Sequence, residues 1–286
     1  MPGDCSRRSP KSQAPRGVCS PAMCCFSAPV EYVAGTNIFA RPLAGDRQAL
    51  VYSMSFAAAD ELAMILPLPV PPGSPEDAVR FVSLEGYAHF FRDVERAFPV
   101  MLEMMARGGF GMFAQSPAPR QLVVHDVGDF EASFVPTLAD FARLDPRFRL
   151  APEVWERLPQ YADWGFAVFK LRRDRRGFWA RLLRRAPSKQ TVHPMAFEFP
   201  RRDPSTLFFP TVHIHDGEVH EQAIFDHNLY AQGPRDDSEG WERSEQPLGA
   251  FVDSSRSAGL VDADLYCFRR NIIGTQANAD QYLALT

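Results

Sequence analysis

Two runs rich in Val, Tyr, Ile and Phe, VEYVAGTNIFARPL and RQALVYSMSF, flank Gly45 and Asp46. A glycine beside a short polar residue supplies the backbone freedom of a tight turn. β-Branched and aromatic residues on either side favour a pleated, half-buried surface. The pair therefore predicts a β-hairpin, and it commits the first part of the fold to antiparallel sheet. ELAMILPLPVPP follows as a third strand that runs into proline-stiffened extended chain.

Further strands are predicted at RQLVVHDV, WGFAVFKL, TVHPMAFEF, LFFPTVHIH and HEQAIFDHNLYAQ. The high counts of 25 prolines and 23 phenylalanines agree with short strands and stiff connections, and argue against a helical bundle. One long helix is expected between them. Ser74-Pro75-Glu76-Asp77 offers a Ser cap, a proline at the first helical position and acids in the first turn. Val79, Tyr87, Phe90, Phe91, Val94 and Phe98 would then form one apolar face on a helix running to about Ala97. TLADFARL and APEVWERL read as short helices around Asp145-Pro146. The predicted class is α+β, mainly antiparallel sheet, with one long helix after the third strand and a few short helices. Gly108-Gly109-Phe110-Gly111 matches neither nucleotide fingerprint and reads as a loop.

Residues 1–22 are rich in Ser, Pro and Arg without apolar periodicity, and read as disordered, or as an extension upstream of a true start at Met23. Residues 23–286 read as a single domain with a basic insert at 172–189. The net charge of −4 gives no global pull toward nucleic acid or anionic lipid. No apolar run reaches 18 residues, so no transmembrane helix is expected. The basic start lacks the apolar stretch of a secretory signal. Cys5, Cys19, Cys24, Cys25 and Cys267 are odd in number, and reduced thiols in a cytoplasmic protein are the expectation.

Four of the seven histidines fall in FFPTVHIHDGEVHEQAIFDHNLY. On a strand, His213 and His215 project to one face. Asp216-Gly217 is a hairpin turn pair, and its return strand would bring Glu218, His220 or Glu221 beside them, with His227 at the far end. Three convergent imidazoles, or imidazoles with a carboxylate, suit copper, zinc or iron. The His-x-His spacing resembles the opening of the cupin metal motif. That motif places a Glu after three or four intervening residues; Glu218 follows His215 after two, too early, and Glu221 after five, too late.

Cys24 and Cys25 are too close in sequence for an ordinary disulfide with each other, and on a strand they face opposite ways. One of them could add a thiolate to the histidine site. If Met23 is the start and is trimmed, Cys24 becomes an N-terminal nucleophile with its own amine as base. This opening is similar to that of the N-terminal-nucleophile amidohydrolases. His125, beside Asp126, is a candidate proton-transfer group.

KLRRDRRGFWARLLRRAPSKQ interrupts what reads as a hairpin. It carries Arg172, Arg173, Arg175, Arg176, Arg181, Arg184 and Arg185, with Phe178, Trp179, Leu182 and Leu183 at helical spacing. A segment that is basic on one side and apolar on the other suits an anionic lipid surface or nucleic-acid phosphate. Its thin aromatic interleaving argues against an RNA-reading surface. Three functions are thus expected: a mononuclear metal site with redox or hydrolytic chemistry, a Cys24 amidohydrolase, or a non-enzymatic protein binding anionic partners. The substrate is not legible.

Overall fold

The computed structural model describes residues 24–28, 30, 32–57, 61–98, 125–127, 130–171, 190–191, 193–214, 217–233 and 240–285. In chain order the first strands are β1 (Cys24–Phe26), β2 (Tyr32–Leu43), β3 (Arg47–Ala57), β4 (Leu62–Leu68) and β5 (Arg80–Ser83). Helix α1 (Phe90–Glu95) precedes β6 (His125–Val127) and β7 (Phe130–Val135). Helix α2 (Pro152–Glu156) precedes β8 (Gly165–Leu171), β9 (Gln190–Thr191), β10 (Met195–Pro200), β11 (Thr206–Phe209) and β12 (His213–Ile214). The remainder is β13 (Gln222–Ala231), β14 (Glu242–Arg243), β15 (Phe268–Ala277) and β16 (Gln281–Ala284).

These strands build three sheets. The six-stranded sheet runs β12-β1-β4-β8-β7-β6. The eight-stranded sheet runs β14-β15-β13-β2-β3-β10-β5, with β9 pairing β3. A small third sheet joins β11 to β16. β2 and β3 form the antiparallel hairpin, turning through Gly45 at φ 69° and Asp46 at φ 55°. Both lie in the left-handed region, which explains a glycine and a short polar residue there.

Side-chain alternation shows how the layers stack. Ile38, Leu50, Phe197 and Leu229 point into the core shared with the six-stranded sheet. Their neighbours Phe39, Val51, Ala196 and Tyr230 point the other way, into a second core under α1 and residues 248–267. The central strands are therefore apolar on both faces because both faces are covered.

The α+β class with a long helix is overturned: the protein is mostly β-sheet. No helix among the described residues exceeds six residues. The Ser-Pro-Glu-Asp signal is spent on a turn, in which Ser74 Oγ donates to the Pro71 carbonyl at 2.7 Å and Ala78 N–H to that of Pro75 at 3.0 Å. Arg80–Ser83 then pairs as an edge strand with β10, Arg80 opposite Glu198 and Phe81 opposite Phe197. Sheet pairing outweighs the local helix signal here. Of the predicted apolar face, Phe90, Phe91 and Val94 fall in α1 and Tyr87 in a single 3-10 turn; these four, and Phe98 beyond the helix, are buried.

Candidate functional site around the His213–His227 pair

The predicted histidine hairpin does not form. β12 lies in the six-stranded sheet, parallel to β1, with Cys24 opposite His213 and Cys25 opposite Ile214. β13 lies in the other sheet, between β15 and β2. The chain between them crosses from one layer to the other. Gly217 does turn, at φ 79°, but the strand after it does not return beside β12.

That crossing disperses the predicted ligands. Glu218 is exposed and pairs with Arg157 at 2.5 Å. His220 and Glu221 are exposed, and their carbonyls accept from the side chain and backbone N–H of Asn278, both at 2.9 Å. His215 and the side chains of Cys24 and His125 lie outside the described residues, with His125 placed on β6 opposite Ala132. Among the described residues no three of His, Cys, Asp or Glu converge as metal ligands. The metal-site and histidine-cluster readings are corrected accordingly.

What the structure does bring together is His213 and His227. Both are buried, and their rings are nearly parallel, 10° apart with centroids at 5.2 Å. Phe225 packs against each ring, at 4.4 Å and 4.7 Å. The Nε2 atoms are 3.4 Å apart. Asp226 N–H donates to His227 Nδ1 at 3.2 Å, which leaves the His227 proton on Nε2, directed at His213 Nε2. One lone pair of the facing nitrogens is thus already used by a proton, an arrangement for a neutral hydrogen-bonded pair. Burial, then the neighbouring His213, pushes the His227 pKa down to about 2. The pair is a polar tie between the two sheets.

A second polar group lies where β11 gives way to β12. Asp280 accepts from Tyr161 Oη at 2.6 Å and from the N–H groups of Thr211 and Val212 at 2.8 and 3.2 Å. Burial pushes its carboxyl up to about 6, against the pull of those three donors. Burial, then the Asp280 carboxylate, raises the Tyr161 phenol. Cys25 is buried on β1 between β12 and β4, and Cys267 is buried in the second core, where desolvation raises its thiol pKa. Such thiols are poor nucleophiles.

The period-two pattern of AIFDHNLYA could have placed His227, since it shares a face with Phe225 and Leu229. Nothing local announces Asp280 or Tyr161, which are 119 residues apart in the chain.

No family model and no curated protein sequence matches the chain. Among solved structures it is similar to baculovirus p35, at 12% identity over 92% of this chain and 99% of that one, with a TM-score of 0.46. It is also similar to the p35 chain of a caspase-8/p35 complex, at 12% identity over 88% and 96% of the two chains, with a TM-score of 0.45.

Proposed function

We propose that this chain is a non-enzymatic interaction protein that engages an anionic surface through segment 172–189. The observation supporting it is a concentration of charge on the connection between β8 and β9. Seven arginines and Lys189 face a single acid, Asp174, within this stretch of a chain whose net charge is −4. The segment lies outside the described residues, but its two ends do not. β8 ends at Leu171 in the six-stranded sheet, and β9 begins at Gln190 beside β3 in the eight-stranded one. The flanking strands are therefore not a hairpin, and the ladders of β8 with β4 and β7 are continuous without the segment.

Phe178, Trp179, Leu182 and Leu183, spaced among the arginines, suit insertion at a lipid headgroup boundary. Each basic residue near an anionic leaflet contributes about 1 kcal/mol, so four engaged arginines would give roughly a thousand-fold preference. Among the described residues no helix is long and apolar enough to cross a membrane. The contact proposed is a surface one.

Co-sedimentation with vesicles of phosphatidylserine and phosphatidylcholine, beside vesicles of phosphatidylcholine alone, tests it. The intact chain should prefer the anionic vesicles and release them as salt rises, while replacing 172–189 by a Gly-Ser linker should remove the preference. Equal binding by both proteins, or preference for duplex DNA over the vesicles, would overturn the lipid reading.

A further inference from the structure

We infer that the open edge of β15 is a self-association surface, pairing antiparallel with β15 of a second copy about a two-fold axis at Ile273. β15 is ten residues long, and β13 pairs with it along its whole length. On its other side, among the described residues, β14 pairs with it at Phe268 and Arg269. From Arg270 to Ala277 that side has no partner strand among the described residues.

The backbone direction at Ile273 follows from its neighbour. Ile273 lies opposite Asp226. Gln232 N–H donates to the Ala40 carbonyl on β2, while the Glu221 carbonyl accepts from Asn278 N–H beyond β15, so by alternation the Asp226 N–H points to β2, away from β15. Asp226 and Ile273 are thus a non-hydrogen-bonded pair in the antiparallel ladder, and the Ile273 N–H and carbonyl face the open edge. Gln276 Nε2 reaches that carbonyl on the exposed side at 3.4 Å. By alternation, Asn271 and Thr275 present their backbone groups to the same edge.

Edge strands are ordinarily blunted by charge, proline or extreme shortness. Residues 271–277, Asn-Ile-Ile-Gly-Thr-Gln-Ala, hold no charge and no proline. Ile273 is 69% exposed, the most exposed large hydrophobic side chain among the described residues, and Ile224 on the adjoining strand is 47% exposed.

A second copy is the occupant this sequence suits. With Ile273 opposite its own counterpart, Asn271 falls opposite Thr275 and Arg270 opposite Gln276. The edge-facing residues Asn271, Ile273 and Thr275 then meet one another short of β14, and no like charges oppose. The operation closes on itself, so it yields a dimer and not a filament. β15 shares no residue with segment 172–189, and the test does not depend on the function proposed for that segment.

Sedimentation equilibrium of the full chain across the micromolar range should show the mass rising from 32.1 kDa toward twice that value. Ile273→Lys sets two ammonium groups face to face and should weaken association at least ten-fold, as should Ile273→Glu with two carboxylates. Mixing the two variants should restore association, because each then meets the opposite charge. The exposure of Ile273 lets both variants fold, which thermal melting checks. A wild-type chain monomeric throughout, a dimer indifferent to both substitutions, or a mixture that stays apart would each overturn the proposal. Capture of a foreign β-strand peptide by a monomeric chain would assign the edge to another occupant.

Discussion

Along the same two strands, β13 and β15, the outer face of the eight-stranded sheet is dry at one end and wet at the other. Tyr230 and Arg269 are opposite each other and buried, while Ile224 and Ile273, a few residues along, are exposed. Strand propensity does not separate the two ends, since both carry large side chains that suit a sheet. The difference is what lies over them. At the dry end α1 supplies Glu95, which accepts from Tyr230 Oη and from Arg269 Nη1 at 2.6 Å. Glu242 on β14 accepts from Arg269 Nη2 at 2.5 Å, and the guanidinium sits 4.6 Å from the Phe98 ring. A charge is tolerated under the cover because it is paired on both sides. At the wet end no described element plays that part.

The largest effect should come from removing the cover's anchor. Phe90 is fully buried and makes edge-to-face contacts with Phe39 at 5.7 Å and with Tyr87 at 5.8 Å. Phe90→Ala should cost about 3–5 kcal/mol, the range for a large aromatic deleted from a packed core. Urea unfolding checks it, and a cost below about 1 kcal/mol would mean that the second core is loosely packed.

The legible part of this fold is the part written in local residues. Gly45-Asp46 between two β-rich runs marks its hairpin because only a turn uses that pair there. The helix start at Ser74 was equally local, yet Arg80–Ser83 had a partner in β10 that no window of sequence displays. The histidines fail for the same reason. His213 and His215 share a face only if the strand continues, and β12 is two residues long. Whether Gly217 turns the chain back or carries it to another sheet depends on β1 and β2, which lie far earlier in the chain. His227, placed by simple alternation in β13, is the one site residue whose position the pattern did encode.

The two faces of β13 differ as sharply as the two ends of its outer face. Asp226 is exposed while His227, the next residue, is buried and neutral. Its folded pKa of about 2 lies below the unfolded value near 6.5, so the unfolded chain takes up a proton first as pH falls. The stability this neutral imidazole confers is complete above about pH 6.5 and drains away below it. At about 1.4 kcal/mol per pH unit, roughly 2 kcal/mol should be lost between pH 6.5 and 5. His227→Gln should remove that slope. Asp280, raised to about 6, works in the opposite sense: its contribution is largest below about pH 4 and falls as pH rises through 6. Both proteins carry Asp280, so the difference between their unfolding free energies at pH 7 and pH 5 isolates the histidine.

The smallest effect belongs to the wet end, and it tests the contrast most directly. Ile224 and Phe225 are consecutive, 47% and 2% exposed. Ile224→Thr keeps a β-branched side chain on the strand and removes apolar surface that already touches water. It should change stability by no more than about 0.5 kcal/mol, the usual span for surface substitutions. The measurement belongs at high dilution, where any association through β15 is absent. A cost approaching that of Phe90→Ala would mean that Ile224 is covered in solution by some other part of the chain. The wet end would then be a third buried face, and the layer over the eight-stranded sheet would extend beyond α1 and residues 248–267.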